Sequence, residues 1–272
     1  MERKRSNRGR WTSVATAVIW IGTTGGASGH EIKVLASQLL TAPGSRDTVY
    51  LSWGHIVPVD MPIDAETIKD YRLHTPSGSV NYLSTEGTSL HANVVTVDEE
   101  GLYTAEVIRH PSIYTLVIDE TGHRHATGSK VEAAKLGGTV DYSARSHQFA
   151  KALLISGDAH EGSTKVLGHE FEIVPLDGPE SWVAGSDLRV RVLFQGKPAA
   201  RQDVFARYIG FKPDQAWCFA IPTDNDGIAT IRVDRAGTWI IRAQKTLPAA
   251  LEDRALFDLE SYTASVALEV LP

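Results

Sequence analysis

Three features of the sequence predict an all-β fold. Short segments rich in Val, Ile, Leu, Tyr and Thr recur from residue 30 to the end, and several alternate apolar with polar residues. That two-residue period places successive side chains on opposite faces of a strand. Clusters of Gly, Pro, Asp, Asn and Ser separate the segments at short intervals, as turns separate short strands. Only residues 130–136 (KVEAAKL) suggest helix, a turn or two of it. Strand number and spacing then give two immunoglobulin-like β-sandwich domains. One covers residues 30–156 and the other residues 169–272, with a polar linker at 157–168 and a leader at 1–29.

The elements follow in order. Pro43, Gly44, Ser45, Arg46 and Asp47 turn the chain into a strand at 48–53 (TVYLSW), which is rich in β-branched and aromatic residues. Residues 58–63 carry Pro58 and Pro62 and read as a loop. Strands are expected at 71–74, 79–83 and 91–97. The turn at 98–101 opens a strand at 102–108 with Tyr103, Ala105 and Val107 on one face. Residues 114–118 form the next, closed by a turn at 119–122. The run 149–156 (FAKALLIS) is apolar without alternation and reads as a buried strand. In the second half, 172–176 enters the domain, and 187–194 alternates with Leu188, Val190, Val192 and Phe194 on one face. Strands at 203–208, 228–233, 237–242 and 262–270 complete it.

The chain has 272 residues, 42% hydrophobic and 22% charged, enough to build a core without cross-links. Its one cysteine, Cys218, permits no intrachain disulfide and reads as buried and inert in its apolar setting. Residues 1–29 combine a basic stretch (Arg3, Lys4, Arg5, Arg8, Arg10), a modest apolar run at 11–21 and a small-residue tail. This is the layout of an export signal, with Ala27 and Gly29 placed for cleavage before His30. The apolar run is too short to span a bilayer, and the expected location is the periplasm. Removing the leader takes the formal charge from −6 to −10. An acidic chain is a poor nucleic-acid binder, and its field attracts cations.

Cleavage after Gly29 would make His30 the first residue. A free N-terminal His holds a metal through its α-amine and ring Nδ1 in a six-membered chelate ring, and imidazole suits nickel, cobalt, copper and zinc. Nine further histidines are candidate partners. His123 and His125, two apart beside a turn, read as a solvated hairpin. His160 and His169 lack the four-residue spacing of a zinc-protease helix and read as connector residues. Residues 223–227 (TDNDG) lack the full ladder of a calcium loop and read as an Asx turn. The sequence holds no nucleophile elbow, phosphate loop or dinucleotide fingerprint, and no enzymatic activity is expected.

Several segments resemble the DUF4198 family. They are 172–176 (EIVPL), 192–194 with 196–198 (VLF, GKP), Thr223 and Asp224 with Gly227, 237–239 (GTW) and 260–264 (ESYTA). The resemblance reaches the first half through His30 and through His55 within 54–58 (GHIVP), and covers most of residues 30–272. Members are described as periplasmic components of cobalt or nickel uptake systems. The resemblance therefore implies a nickel or cobalt ion, with copper or zinc as alternatives, held by His30, His55, His91 and His147. It also implies a membrane partner, an ABC- or ECF-type metal transporter. The alternative is a non-metal adhesion or carbohydrate-binding module, which needs Trp53, Trp182, Trp217 and Trp239 to form an exposed platform. A third reading, an N-terminal-His copper oxidase acting on polysaccharide, needs His30, one more His and a flat face.

Overall fold

The computed structural model describes residues 30–158, 165–212 and 216–272; the expected export signal and His160 lie outside the described residues. Among the described residues, thirteen strands of five residues or more carry the fold. The first seven are β1 (Glu31–Ala36), β2 (Ser45–Gly54), β3 (Ile68–His74), β4 (Asn93–Val97), β5 (Gly101–Arg109), β6 (Ser112–Ile118) and β7 (Thr139–Ser156). The remaining six are β8 (Phe171–Pro175), β9 (Ser186–Phe194), β10 (Asp203–Tyr208), β11 (Ile228–Val233), β12 (Gly237–Pro248) and β13 (Leu259–Val270). The predicted strands at 48–53, 102–108, 187–194 and 262–270 lie within β2, β5, β9 and β13. The helical turn expected at 130–136 is present at Lys130–Ala133, with a capping box from Ser129 and Glu132.

The chain is all-β and forms two immunoglobulin-like sandwiches, as the sequence predicts, but the two share a sheet. A large central sheet runs β10-β12-β13-β7-β5-β3, with β6 also paired to β7. One face is covered by the small sheet β1-β2-β4, the other by β8, β9 and β11. Strand β7 shows why. Phe149, Leu153 and Ile155 enter the core beneath β8 and β9, whereas Ala150, Ala152 and Leu154 enter the core beneath β1 and β2. A strand buried on both faces has no polar side, so it reads as a continuous apolar run.

The residues expected as a linker at 157–168 therefore mark no break in the sheet. Strands β7 and β13 pair in parallel, from Ala144 with Leu259 to Ala152 with Ala267. At the end of the segment, Leu167 N and Gly168 N donate to the Glu172 carboxylate at 2.9 and 3.0 Å. The same carboxylate accepts from the buried Lys151 ammonium at 2.7 Å. Two smaller expectations also shift. The strand expected at 91–97 begins at Asn93, because His91 adopts φ +45°. Cys218 is half-buried rather than buried, and burial pushes its thiol pKa up.

Candidate metal centre

The antiparallel register of β1 and β2 builds the site. Glu31 stands opposite Gly54 and Ile32 opposite Trp53, so the next pair outward is His30 with His55. Cross-strand neighbours have side chains about 5 Å apart. The two imidazole rings meet edge to face with centroids 4.8 Å apart and planes at 79°. His30 also meets the Trp53 ring edge-on at 5.7 Å. The start of β1 is fixed by one amide on β7. Gln148 Oε1 accepts from Ile32 N at 2.9 Å, and Gln148 Nε2 donates to the His30 carbonyl at 2.8 Å.

His55 is positioned by the loop that follows it. Asp60 Oδ2 accepts from His55 N at 2.7 Å and from Ile56 N at 3.0 Å. Those backbone hydrogen bonds, Ile56's first, hold the Asp60 carboxyl below its ordinary range. Arg207 Nη2 donates to the His55 carbonyl at 2.7 Å. Gly54 makes the fold-back feasible: its φ is +118°, and an added Cβ would land inside the Asp60 carboxylate. Substituting Gly54→Ala is expected to cost about 1–3 kcal/mol and, if the histidine pair holds a metal, to weaken that binding, because Asp60 must leave the two amides. Parallel urea denaturation and metal titration measure both effects; an unchanged affinity would mean that the loop does not set His55.

Behind the pair lies a buried ionic cluster between the layers. Arg242 Nε is 2.6 Å from Glu31 Oε2, and Lys33 Nζ is 3.7 Å from Glu31 Oε1. Lys33 also donates to the Gly54 carbonyl at 2.6 Å. Burial lowers the Lys33 pKa, with Glu31 opposing. His55 is shifted down as well, first by burial and then by the positive potential of His30. A neutral imidazole is the form that ligates metal. In front of the pair is a cavity of about 300 Å³ bordered by Trp53, Arg109, Tyr114, Ser146 and Gln148.

The other predicted ligands do not join them. His91 is buried in the turn before β4, and both ring nitrogens are engaged there. Its Nε2 meets the Ile63 carbonyl at 2.9 Å, and its Nδ1 meets Ser89 Oγ at 3.1 Å. His147 is on β7 next to Gln148, and adjacent strand residues face opposite ways. It stacks on Tyr262 at 4.5 Å, bonds Glu260 Oε2 at 2.8 Å and lines a separate cavity of about 220 Å³. The four-histidine set is therefore corrected: only His30 and His55 come together. His169, expected in a connector, is buried against Phe149 and bonded to Glu106. His125 and His123 belong to a hairpin organised by Asp119, as expected. Asp224 Oδ1 caps its own turn by accepting from Asp226 N and Ile228 N, both at 2.9 Å.

Of the four tryptophans that a binding platform requires, Trp182 and Trp239 are wholly buried, and Trp53 and Trp217 are half-exposed. Sequence reasoning missed Gln148, Arg109 and Arg207, which surround the pair. Only their placement across strands far apart in the chain reveals them.

A family model described as "Domain of unknown function (DUF4198)" matches residues 27–246. Among solved structures, the "D0-D1 domain of Intimin" aligns at 12% identity and TM-score 0.22, covering 89% of this chain and 98% of that one. The "D00-D0 domain of Intimin" aligns at 10% identity and TM-score 0.21, covering 89% and 100%. No curated protein matches.

Proposed function

The chain belongs to the DUF4198 family, and from that premise we propose that it is an exported, periplasmic carrier of a single transition-metal ion. Nickel or cobalt is the proposed cargo, ahead of copper or zinc, and a membrane uptake transporter is the proposed recipient. One observation carries the reading: the imidazoles of His30 and His55 converge edge to face, 4.8 Å between centroids, at the mouth of a cavity. The chemistry of the donor set fits. Two imidazoles and the α-amine of a cleaved chain make a three-nitrogen set, which suits late first-row divalent ions. Among the described residues no group of three or more His, Cys, Asp and Glu side chains is placed to hold a metal, so the amine is an essential member. Two of the four aromatic rings that the adhesion reading needs are inside the core, which favours the metal reading.

The test is calorimetric titration with nickel, cobalt, copper and zinc of protein recovered from the periplasm of an expressing host, with its intact mass measured alongside. One site per chain is expected in a protein whose mass begins at His30. His55→Ala loses most of the affinity, whereas His147→Ala keeps it. Equal loss in the two variants, or no binding of any of the four ions, would sink the proposal.

A further inference from the structure

Arg109, at the end of β5, has only 8% of its surface exposed. Among the described residues it forms no ion pair with a carboxylate, and its shielded Nε meets no acceptor. Its guanidinium lies over the Trp53 ring, with Cζ 4.0 Å from the ring centroid. Among the described residues, the other buried cations each have a polar partner within the protein. Lys33 and Arg242 meet Glu31, Lys151 meets Glu172, and Arg207 meets the His55 carbonyl. A buried charge without a counter-charge is costly to keep. Burial alone drags the Arg109 pKa down to about 10, with no anion opposing it.

Arg109 borders the cavity that His30 and His55 border, and the described residues lining that cavity include no acid. Ser112, Ser146 and Gln148 add polar groups to the same wall. A second, smaller cavity that Arg109 also borders is lined by Glu170 and Lys69. Through Trp53 the guanidinium and the His30 ring share one neighbour. A volume of about 300 Å³ is at the lower end of small-molecule sites. Three nitrogen ligands leave coordination positions open on any of the candidate ions.

Resting on the metal reading, we propose that this cavity takes a small dicarboxylate co-ligand. One carboxylate would pair with the Arg109 fork and the other would bind the ion held by His30 and His55, so that the cargo is a metal–carboxylate chelate rather than the bare ion. Guanidinium recognises carboxylate through two parallel hydrogen bonds.

The test is calorimetric titration of the whole exported protein with malonate, first stripped of metal and then loaded with nickel. Malonate is expected to bind the metal-free protein, and to bind the nickel form at least about ten-fold more tightly. Arg109→Gln removes binding in both states. Arg109→Lys keeps the charge without the fork and leaves a weakened response, which serves if Arg109→Gln does not fold. Malonate binding that is the same in wild type and both variants, or absent from wild type in both states, overturns the inference. Nickel binding is measured separately without malonate. If nickel fails to bind while Arg109-dependent malonate binding persists, the metal reading falls and the carboxylate subsite stands.

Discussion

A chain that keeps Gly29 in front of His30 is expected to bind nickel roughly a hundredfold to ten-thousandfold more weakly than the chain that begins at His30. The extra residue turns the α-amine into an amide, which cannot donate a lone pair at neutral pH. What is lost is an intramolecular ligand already within reach of the ion, and linked donors raise affinity by about 10²–10⁴ over separate ones. The His30 and His55 rings stay in place, because Gln148 and the β1–β2 register hold them without help from the amine. Comparing nickel titrations of the cleaved protein and a form retaining Gly29 measures the effect. Equal affinities would strike the amine from the site.

The second large effect lies in the core rather than at the histidine pair. Glu106 on β5 is buried and receives hydrogen bonds from two histidines, His74 Nε2 at 2.7 Å and His169 Nε2, with Arg72 Nη1 3.8 Å away. Burial pushes its pKa up, but the hydrogen bonds from His169 and His74 outweigh this and bring it from 4.5 down to about 2. A drop of that size corresponds to about 3 kcal/mol of stability at neutral pH, in line with the roughly 3–5 kcal/mol lost when one partner of a buried pair is removed. The sign follows from the depressed value. The folded state binds the Glu106 proton less readily than the unfolded chain, so the contribution is complete above the ordinary pKa. It disappears as pH falls from about 5 through about 2. Glu106→Gln should therefore lower the urea midpoint markedly at pH 7 and much less near pH 3. A difference between variant and wild type that stays constant over that range would show that packing, not ionisation, is responsible.

Much of the secondary structure could be read because β strands advertise a period of two. Leu188, Val190 and Val192 alternate in the sequence and all reach one core. The unalternating run at the end of β7 announced burial on both faces, although not which two layers would cover it. The shared sheet was illegible because β7 and β13 pair in parallel across more than a hundred residues, and no local signal sets that register. The same limit governed the site. His55 and His30 become partners through a register that no short hairpin fixes. His147 failed by one position: Ser146 and Gln148 face the His30 cavity, so the residue between them must face away. His91 failed because its ring is more useful inside a turn, where it ties Ile63 to Ser89.

The attachment of β1 has a consequence for the order in which the molecule comes into being. Ile32 is held by Gln148, its carbonyl accepts from Ser265 Oγ at 3.3 Å, and Glu31 meets Arg242. A chain emerges from the ribosome N-terminus first, so β1 is anchored by residues made well over a hundred positions after it. Contacts of such long span also form slowly, because a large loop must close first. In pulse-labelled refolding, the β1 amides should gain protection together with those of β13, not before them. The paired histidines would then come together only once β7 and β13 had closed over β1.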